Sequence, residues 1–340
     1  MTRPFDRPAI ARAAQAGGAA EALGALPEWD LTHLYPAMDS PAFATDVERA
    51  ATEARRFAEL YRGKLAALAV REDASAALAE AVRAYESLED LVGKIMSYAG
   101  LIYSGDTTDP LRAKFYGDTQ DKVTTISTEL LFFGLELNRI DEALLAKAAA
   151  QAPLSHWKPW LDDLAKDKPH QLEDRIEELF HEKSVTGHGA WNRLFDETIA
   201  SLRFNVGGDD LTLELTLNRL QDADGAVRKE AAEVLGTVFR QHLRTFGLIT
   251  NTLAKDKEIS DRWRKFEDVA DSRHLANRVE REVVDALVAA VREAYPRLSH
   301  RYYKLKARWF GQDTLDYWDR NAPLPKVEQR TIPWTEARDT

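Results

Sequence analysis

Residues 78–110 read LAEAVRAYESLEDLVGKIMSYAGLIYSGDTTDP, and the fold class follows from them. Leu78, Val82, Tyr85, Leu88, Val92, Ile95, Ala99 and Ile102 recur every three or four positions, with charged residues between them. That is the period of an amphipathic α-helix with one buried stripe. The run stops at Gly105-Asp106-Thr107-Thr108-Asp109-Pro110, a cluster of breakers and cap residues. Upstream, Phe43, Val47, Ala51, Ala54, Phe57 and Tyr61 keep the same spacing; downstream, Leu111, Phe115, Val123, Ile126 and Leu130 form a third stripe. Helices joined by so short a turn pack antiparallel. The expected fold is all-α and multi-helical, built from antiparallel helix pairs.

Shorter helices are expected over Glu142 to Ala150, Ser155 to Ala165 and Gln171 to Lys183, with Pro153 and Pro169 as separators. Leu172, Ile176, Leu179 and Phe180 face inward in the last of these. Gly187-His188-Gly189 marks a turn, after which Trp191, Leu194, Phe195, Ile199 and Leu202 continue the apolar pattern. One segment, near residues 201–216, departs from helical spacing. Leu202, Phe204 and Val206 alternate with polar residues, as do Leu211, Leu213 and Leu215, around Gly207-Gly208-Asp209-Asp210. This predicts a small β-hairpin with a four-residue loop.

Asp224-Gly225 opens another helix, carrying Val227, Ala231, Val234 and Val238. Asn277 with Glu280 reads as a capping box for a helix whose stripe is Val284, Leu287, Val291, Tyr295, Leu298, Tyr302, Leu305 and Trp309, kinked at Pro296. Ala322-Pro323-Leu324-Pro325 is extended, and Pro333-Trp334-Thr335-Glu336-Ala337 starts a helix that Thr340 interrupts after about one turn. The expectation is a sequence cut from a longer one.

Composition narrows the function classes. With 56 acidic and 46 basic residues the formal net charge is −10, so no global field favours nucleic acid or anionic lipid. The absence of cysteine excludes disulfides, thiolate zinc sites and cysteine nucleophiles. The longest strongly apolar stretch, Leu130 to Leu137, is far short of the ~18 residues of a membrane helix. Residues 1–25 carry Arg3, Arg7 and Arg12 without an apolar core and read as a flexible leader rather than a signal peptide. The expected location is the cytoplasm.

The residues show little chemistry. His181-Glu182 begins a His-Glu-x-x-His zinc motif, but Val185 stands where the second histidine belongs. Glu178 with His181, one turn after Asp174, has the spacing of a di-iron bundle; its nearest companion, Asp271 with His274, has the wrong acid. A solvated acidic face is the better reading. Gly207-Gly208-Asp209-Asp210 would repel an anion and reads as a turn, and His242 reads as a hydrogen-bonded core histidine. Arg301 to Trp309 interleaves bases and aromatics as single-strand binders do. On a helix, however, Tyr302, Leu305 and Trp309 share the buried stripe, while Lys304, Lys306 and Arg308 lie outside. No catalytic, metal-binding or substrate-binding residue is singled out.

Several segments together resemble the oligoendopeptidase F family, bacterial relatives of thimet oligopeptidase. They are Leu26-Pro27-Glu28-Trp29-Asp30-Leu31-Thr32-His33-Leu34-Tyr35-Pro36 with Phe43 and Asp46, then Tyr98 to Asp106, and His170-Gln171-Leu172-Glu173-Asp174 with Glu177-Glu178. Thr186-Gly187 with Ala190-Trp191 and Leu194, Val227-Arg228 with Ala231, and Tyr302 to Arg308 follow in the family's order. Asp316-Tyr317-Trp318-Asp319-Arg320 and Ala322-Pro323-Leu324 complete the set.

The resemblance implies a zinc metalloendopeptidase for short oligopeptides, almost all helical, with two lobes around a channel. In the family, two histidines of His-Glu-x-x-His and a later glutamate hold Zn2+, and the motif glutamate activates the bound water. The zinc helix lies beyond the segment resembling Tyr317 to Pro325, so no catalytic or metal residue transfers to this chain, and these 340 residues alone are expected to be inactive. The implied organisation is a leader at 1–25, an N-terminal helical lobe at 26–185 like that of the neurolysin and thimet zincins, and the truncated start of a peptidase domain at 186–340. Two rival readings are a non-catalytic helical scaffold or peptide-binding protein, and a single-strand nucleic-acid binder using Arg301 to Trp309.

Overall fold

The computed structural model describes residues 29–325 and 332–340; the leader expected over residues 1–25 lies outside them. The described residues fall into two contact units, one of residues 31–197 and 246–286, the other chiefly of residues 198–245 and 287–340. No helix among them is long and apolar enough to cross a membrane.

The first unit is built on α1 (Pro41–Tyr61), α2 (Leu65–Ala69), α3 (Ala74–Gly105) and α4 (Pro110–Thr128). Ser40 caps α1 by accepting from the Phe43 amide, and Pro41 sits in the first turn, where a missing N–H costs nothing. The 32 residues of α3 span about 48 Å. Leu78, Val82, Leu88, Val92, Ile95 and Ala99 are buried along it, and Tyr85 and Ile102 pack partly buried on the same core. Each large side chain withdrawn from water contributes about 1.5–3 kcal/mol. The Thr108 amide donates to Asp106, and Asp109 accepts from the Leu111 amide, so the chain reverses into α4 within four residues. Tyr98 then meets Phe115 edge-on, and Tyr103 stacks on Tyr116 with centroids 4.9 Å apart. Leu111, expected inward, is exposed; its neighbour Arg112 is the residue of α4's first turn that meets α3, donating to the Ile102 carbonyl.

The chain continues through α5 (Leu131–Leu137), α6 (Glu142–Ala149), a 3-10 turn (Leu154–Trp157), α7 (Lys158–Asp167), α8 (Asp174–Ser184) and α9 (His188–Ser201). Phe57, Tyr85, Phe132 and Phe133 form a ring cluster at the centre of this core. Two buried polar side chains tie distant segments together. The Ser75 hydroxyl donates to the Gln151 carbonyl, and Asn138 donates to the Leu164 carbonyl. The turn expected at Gly187-His188-Gly189 is shorter than predicted: His188 and Gly189 already belong to α9. Leu194 and Phe195, expected inward, are half exposed.

Next come β1 (Phe204–Val206), β2 (Asp209–Leu211), α10 (Leu213–Arg219), α11 (Gly225–Gln241) and α12 (Leu243–Trp263). They are followed by α13 (Asp271–Ala276), α14 (Arg281–Ala294), α15 (Ser299–Trp309), a 3-10 turn (Tyr317–Asp319) and α16 (Trp334–Asp339). The hairpin exists but is smaller than expected. Phe204 pairs with Leu211 and Val206 with Asp209, so Asp209 and Asp210 are strand and only Gly207 and Gly208 turn, both at positive φ. Leu213 and Leu215 are helical, because Thr212 caps α10 through the Leu215 amide and Glu214 sits in its first turn.

Among the described residues, three helices end in Schellman motifs. The Phe266, Val279 and Gln312 amides reach back to the carbonyls of Asp261, His274 and Ala307, around Lys265, Arg278 and Gly311 at φ 61°, 52° and 71°. Asn277 therefore closes α13 and does not cap α14, since Arg278 immediately leaves helical space. The stripe of residues 284–309 breaks into α14 and α15 around Pro296. Its members Leu287, Tyr295, Leu298, Tyr302, Leu305 and Trp309 are all exposed. Helical periodicity identifies an apolar face without identifying what covers it.

Candidate functional site

In the first unit, the segment leading into α8 is held by the end of α12. The Arg264 guanidinium pairs bidentately with Glu177 at 2.8 and 2.7 Å and also donates to the His170 carbonyl. His170 Nδ1 lies 2.8 Å from the Arg264 carbonyl, and its ring stacks on Phe266 at 3.9 Å. Burial alone would raise the Glu177 carboxyl, but the Arg264 and Leu172 hydrogen bonds and the Arg264 charge together hold it below the usual range.

Beside this clamp lies a cleft of about 480 Å3, lined by Leu131, residues of α8, Gly187 and His188, and residues of α12. Phe180, Leu179 and Ile259 give it apolar walls; His181, Asp256 and Ser260 give it polar groups. His181 Nε2 is buried and has no hydrogen-bond partner. Gly187 is required at the rim, because a Cβ there would stand 2.9 Å from the Lys183 carbonyl oxygen. A site so composed can take up a small ligand with an apolar body and polar ends.

In the second unit, charge is buried. Arg228 and Asp319 are each 3% exposed and meet at 3.0 and 2.7 Å through Nε and Nη2. Arg228 also donates to the carbonyls of Asp222 and Ala223, and Gln312 donates to Asp319. Lys306, also buried, donates to the carbonyls of Arg320 and Ala322 at 2.8 Å. Burial and the Arg228 charge push the Lys306 amine below the usual lysine range, with Asp319 opposing. Lys306 therefore does not decorate the outside of its helix as periodicity predicts: two carbonyls draw its amine inward. Each side-chain nitrogen of Arg228 and Lys306 donates within the protein, and the cluster fixes the 3-10 turn to α11 and α15.

The sequence candidates are scattered. Asp174 pairs with Arg139, and Asp271 with Arg281, so neither carboxylate is uncommitted beside its histidine. The Gly207 amide donates to Glu230, which occupies the hairpin turn with a carboxylate. His242 Nδ1 is 3.0 Å from the Val238 carbonyl, hydrogen-bonded as expected but only half buried. Among the described residues no three His, Asp or Glu side chains converge to hold a metal ion. Asp256, Ile259, Ser260 and Arg264 escaped the sequence reading, although Phe246, Ile249, Leu253 and Trp263 on the same helix keep a legible period.

The helical fold of the described residues is similar to that of solved oligoendopeptidase F structures. The structure of oligoendopeptidase-F from Enterococcus faecium superposes with a TM-score of 0.70 at 19% identity, over 83% of this chain and 56% of that one. The family model described as Oligopeptidase F matches residues 136–204. Group B oligopeptidase PepB of Streptococcus agalactiae serotype III (strain NEM316) is 25% identical over 311 residues, 88% of this chain and 50% of its own length. The chain is thus similar to oligoendopeptidase F proteins, and it spans about half the length of the curated relative it matches.

Proposed function

We propose that these residues form the N-terminal helical part of a zinc metalloendopeptidase that hydrolyses short oligopeptides. In this reading, residues 26–185 are the N-terminal lobe and residues 186–340 begin the peptidase domain. Together they contribute part of a substrate-channel wall, while the zinc ligands lie outside this sequence. The observation that carries the proposal is the relationship to a curated oligopeptidase across 88% of the chain. The net charge of −10 fits peptide substrates rather than nucleic acid or anionic membrane, and the cytoplasm is the proposed location.

The role of this chain's own residues is architectural. The Glu177–Arg264 clamp orders the entry to α8, and Arg228, Lys306 and Asp319 hold the segment that leads through Ala322. A quenched fluorescent oligopeptide mixed with the purified 340-residue chain and Zn2+ should not be cleaved. Turnover abolished by a chelator would refute the assignment of the zinc ligands to other residues. A reading frame that continues past Thr340 without His-Glu-x-x-His in the next ~100 codons would favour the scaffold reading instead.

A further inference from the structure

A base followed by an apolar residue recurs along α15 and just before it, as Arg297-Leu298, Arg301-Tyr302, Lys304-Leu305 and Arg308-Trp309. Spacings of four, three and four residues bring the bases onto one line of a helix and the apolar residues onto the adjacent line, about 100° round. Although the chain has 56 acidic residues, α15 itself contains no Asp or Glu. Arg301, Lys304 and Arg308 are exposed, and none of their side chains enters an ion pair or hydrogen bond among the described residues. Elsewhere such bases are paired, as Arg62 is with Glu129 and Lys158 with Asp162. Beside the basic row, Tyr302, Leu305 and Trp309 are 43%, 41% and 46% exposed. The other side of the helix is fixed: Lys306 and Ala307 are buried, and the Lys306 amine donates to the Arg320 and Ala322 carbonyls. Both rows therefore stand free on a helix that is already held in place.

A row of large apolar side chains left in water marks a surface for association, and the charge beside it selects the partner. Unpaired bases at one-turn spacing along an apolar line are complementary to an amphipathic helix whose own apolar stripe is bordered by Asp or Glu. A nucleic acid or an anionic bilayer would meet the field of a chain with net charge −10, and Leu298 and Leu305 offer no ring on which a base could stack. We propose that α15 docks an acidic amphipathic helix of a partner protein. The partner's apolar stripe covers Tyr302, Leu305 and Trp309, and its carboxylates pair with Arg301, Lys304 and Arg308. The surface lies within one contact unit and does not depend on the proposed hydrolysis.

The probe is a synthetic peptide of about four helical turns, with a leucine stripe bordered by a row of glutamates, titrated into the 340-residue chain by calorimetry at low salt. Saturable binding is expected although peptide and chain are both acidic, and replacing the glutamates by glutamines should weaken it about tenfold. Arg301→Gln combined with Arg308→Gln should weaken the glutamate peptide by a similar factor and leave the glutamine peptide unchanged, since both changes remove the same charge pairs. Leu305→Asn should weaken both peptides. All three positions are exposed, so each variant should keep the far-UV circular dichroism of the parent. Equal affinity for the two peptides, or a glutamate peptide indifferent to the double variant, would overturn the proposal. So would the lack of saturation up to about 1 mM, whether or not the chain then binds phosphatidylserine vesicles or a second copy of itself through the same residues. The readout is binding alone, so its failure leaves the peptidase reading standing, and failure of that reading leaves this one standing.

Discussion

Replacing Asp319 by alanine tests the second unit at its most highly charged point. Asp319 accepts from Arg228 Nε and Nη2, both side chains are 3% exposed, and Lys306 is buried in the same cluster. The alanine variant therefore leaves two buried cations without their carboxylate, although the Asp222 and Ala223 carbonyls still accept from Arg228. Removing one partner of a buried pair costs about 3–5 kcal/mol, mostly as the desolvation of the charge left behind. Asp319→Asn keeps the volume and one acceptor oxygen, so it should cost less, about 1.5–3 kcal/mol. At a urea slope of about 2 kcal/mol/M, the alanine variant lowers the midpoint by about 1.5–2.5 M. Asp209→Ala is the control: its contact with Arg219 is 3.5 Å and solvent-exposed, worth at most about 1 kcal/mol. The assay is urea unfolding followed by far-UV circular dichroism and tryptophan fluorescence. Asp319→Ala shifting the midpoint no more than Asp209→Ala would refute the reasoning.

Glu177 has its folded-state value held below the unfolded one, so its pair with Arg264 stabilises fully above the unfolded value and is lost as pH falls through the folded one. Glu177→Gln should cost about 1.5–3 kcal/mol at pH 7, and the difference from the parent should vanish in acid, as urea midpoints at several pH values would show. Lys265 holds a left-handed conformation that favours glycine, so Lys265→Gly should gain about 0.5–1 kcal/mol in thermal unfolding. Arg278→Gly should change little, because it also loses the Asp167 ion pair. Gly93→Ala, in open space on α3, should stabilise by about 1 kcal/mol, whereas Gly187→Ala should destabilise by about 1–3 kcal/mol through contact with the Lys183 carbonyl.

The helical order of the chain was legible because one face of each long helix is dry. Leu78, Val82, Ile95 and Ala99 are buried where the period of α3 places them. The hairpin is shorter than its letters suggest because Leu211, Leu213 and Leu215 alternate with polar residues, while Thr212 and Glu214 supply the cap and the first-turn charge that begin α10. Asn277 is ambiguous in the sequence for a related reason. A capping box and the end of a preceding helix use the same residue types, and only the positive φ of Arg278 separates them. The cleft was not legible at all: its polar groups come from α8 and α12, more than 70 residues apart, and no spacing rule joins them.

The segments that carry the family resemblance coincide with buried or partly buried polar contacts, and that coincidence has a physical basis. Tyr35 donates to Asp46 at 2.8 Å within a ring cluster with Phe43 and Tyr98. His170 and Glu177 meet Arg264; Arg228 and Lys306 meet the turn around Asp319. An apolar stripe accepts many combinations of Leu, Ile, Val and Phe at a cost usually under about 1.5 kcal/mol per swap. A buried hydrogen-bonded charge accepts almost none, since each lost partner leaves a desolvated group uncompensated. A family's recognisable letters therefore gather at joints such as these as well as at catalytic centres. A matched motif locates a demanding polar contact, and only geometry tells whether the demand comes from the fold or from chemistry. For Arg228, Lys306 and Asp319 it comes from the fold, because every polar atom they present is already spent within the chain.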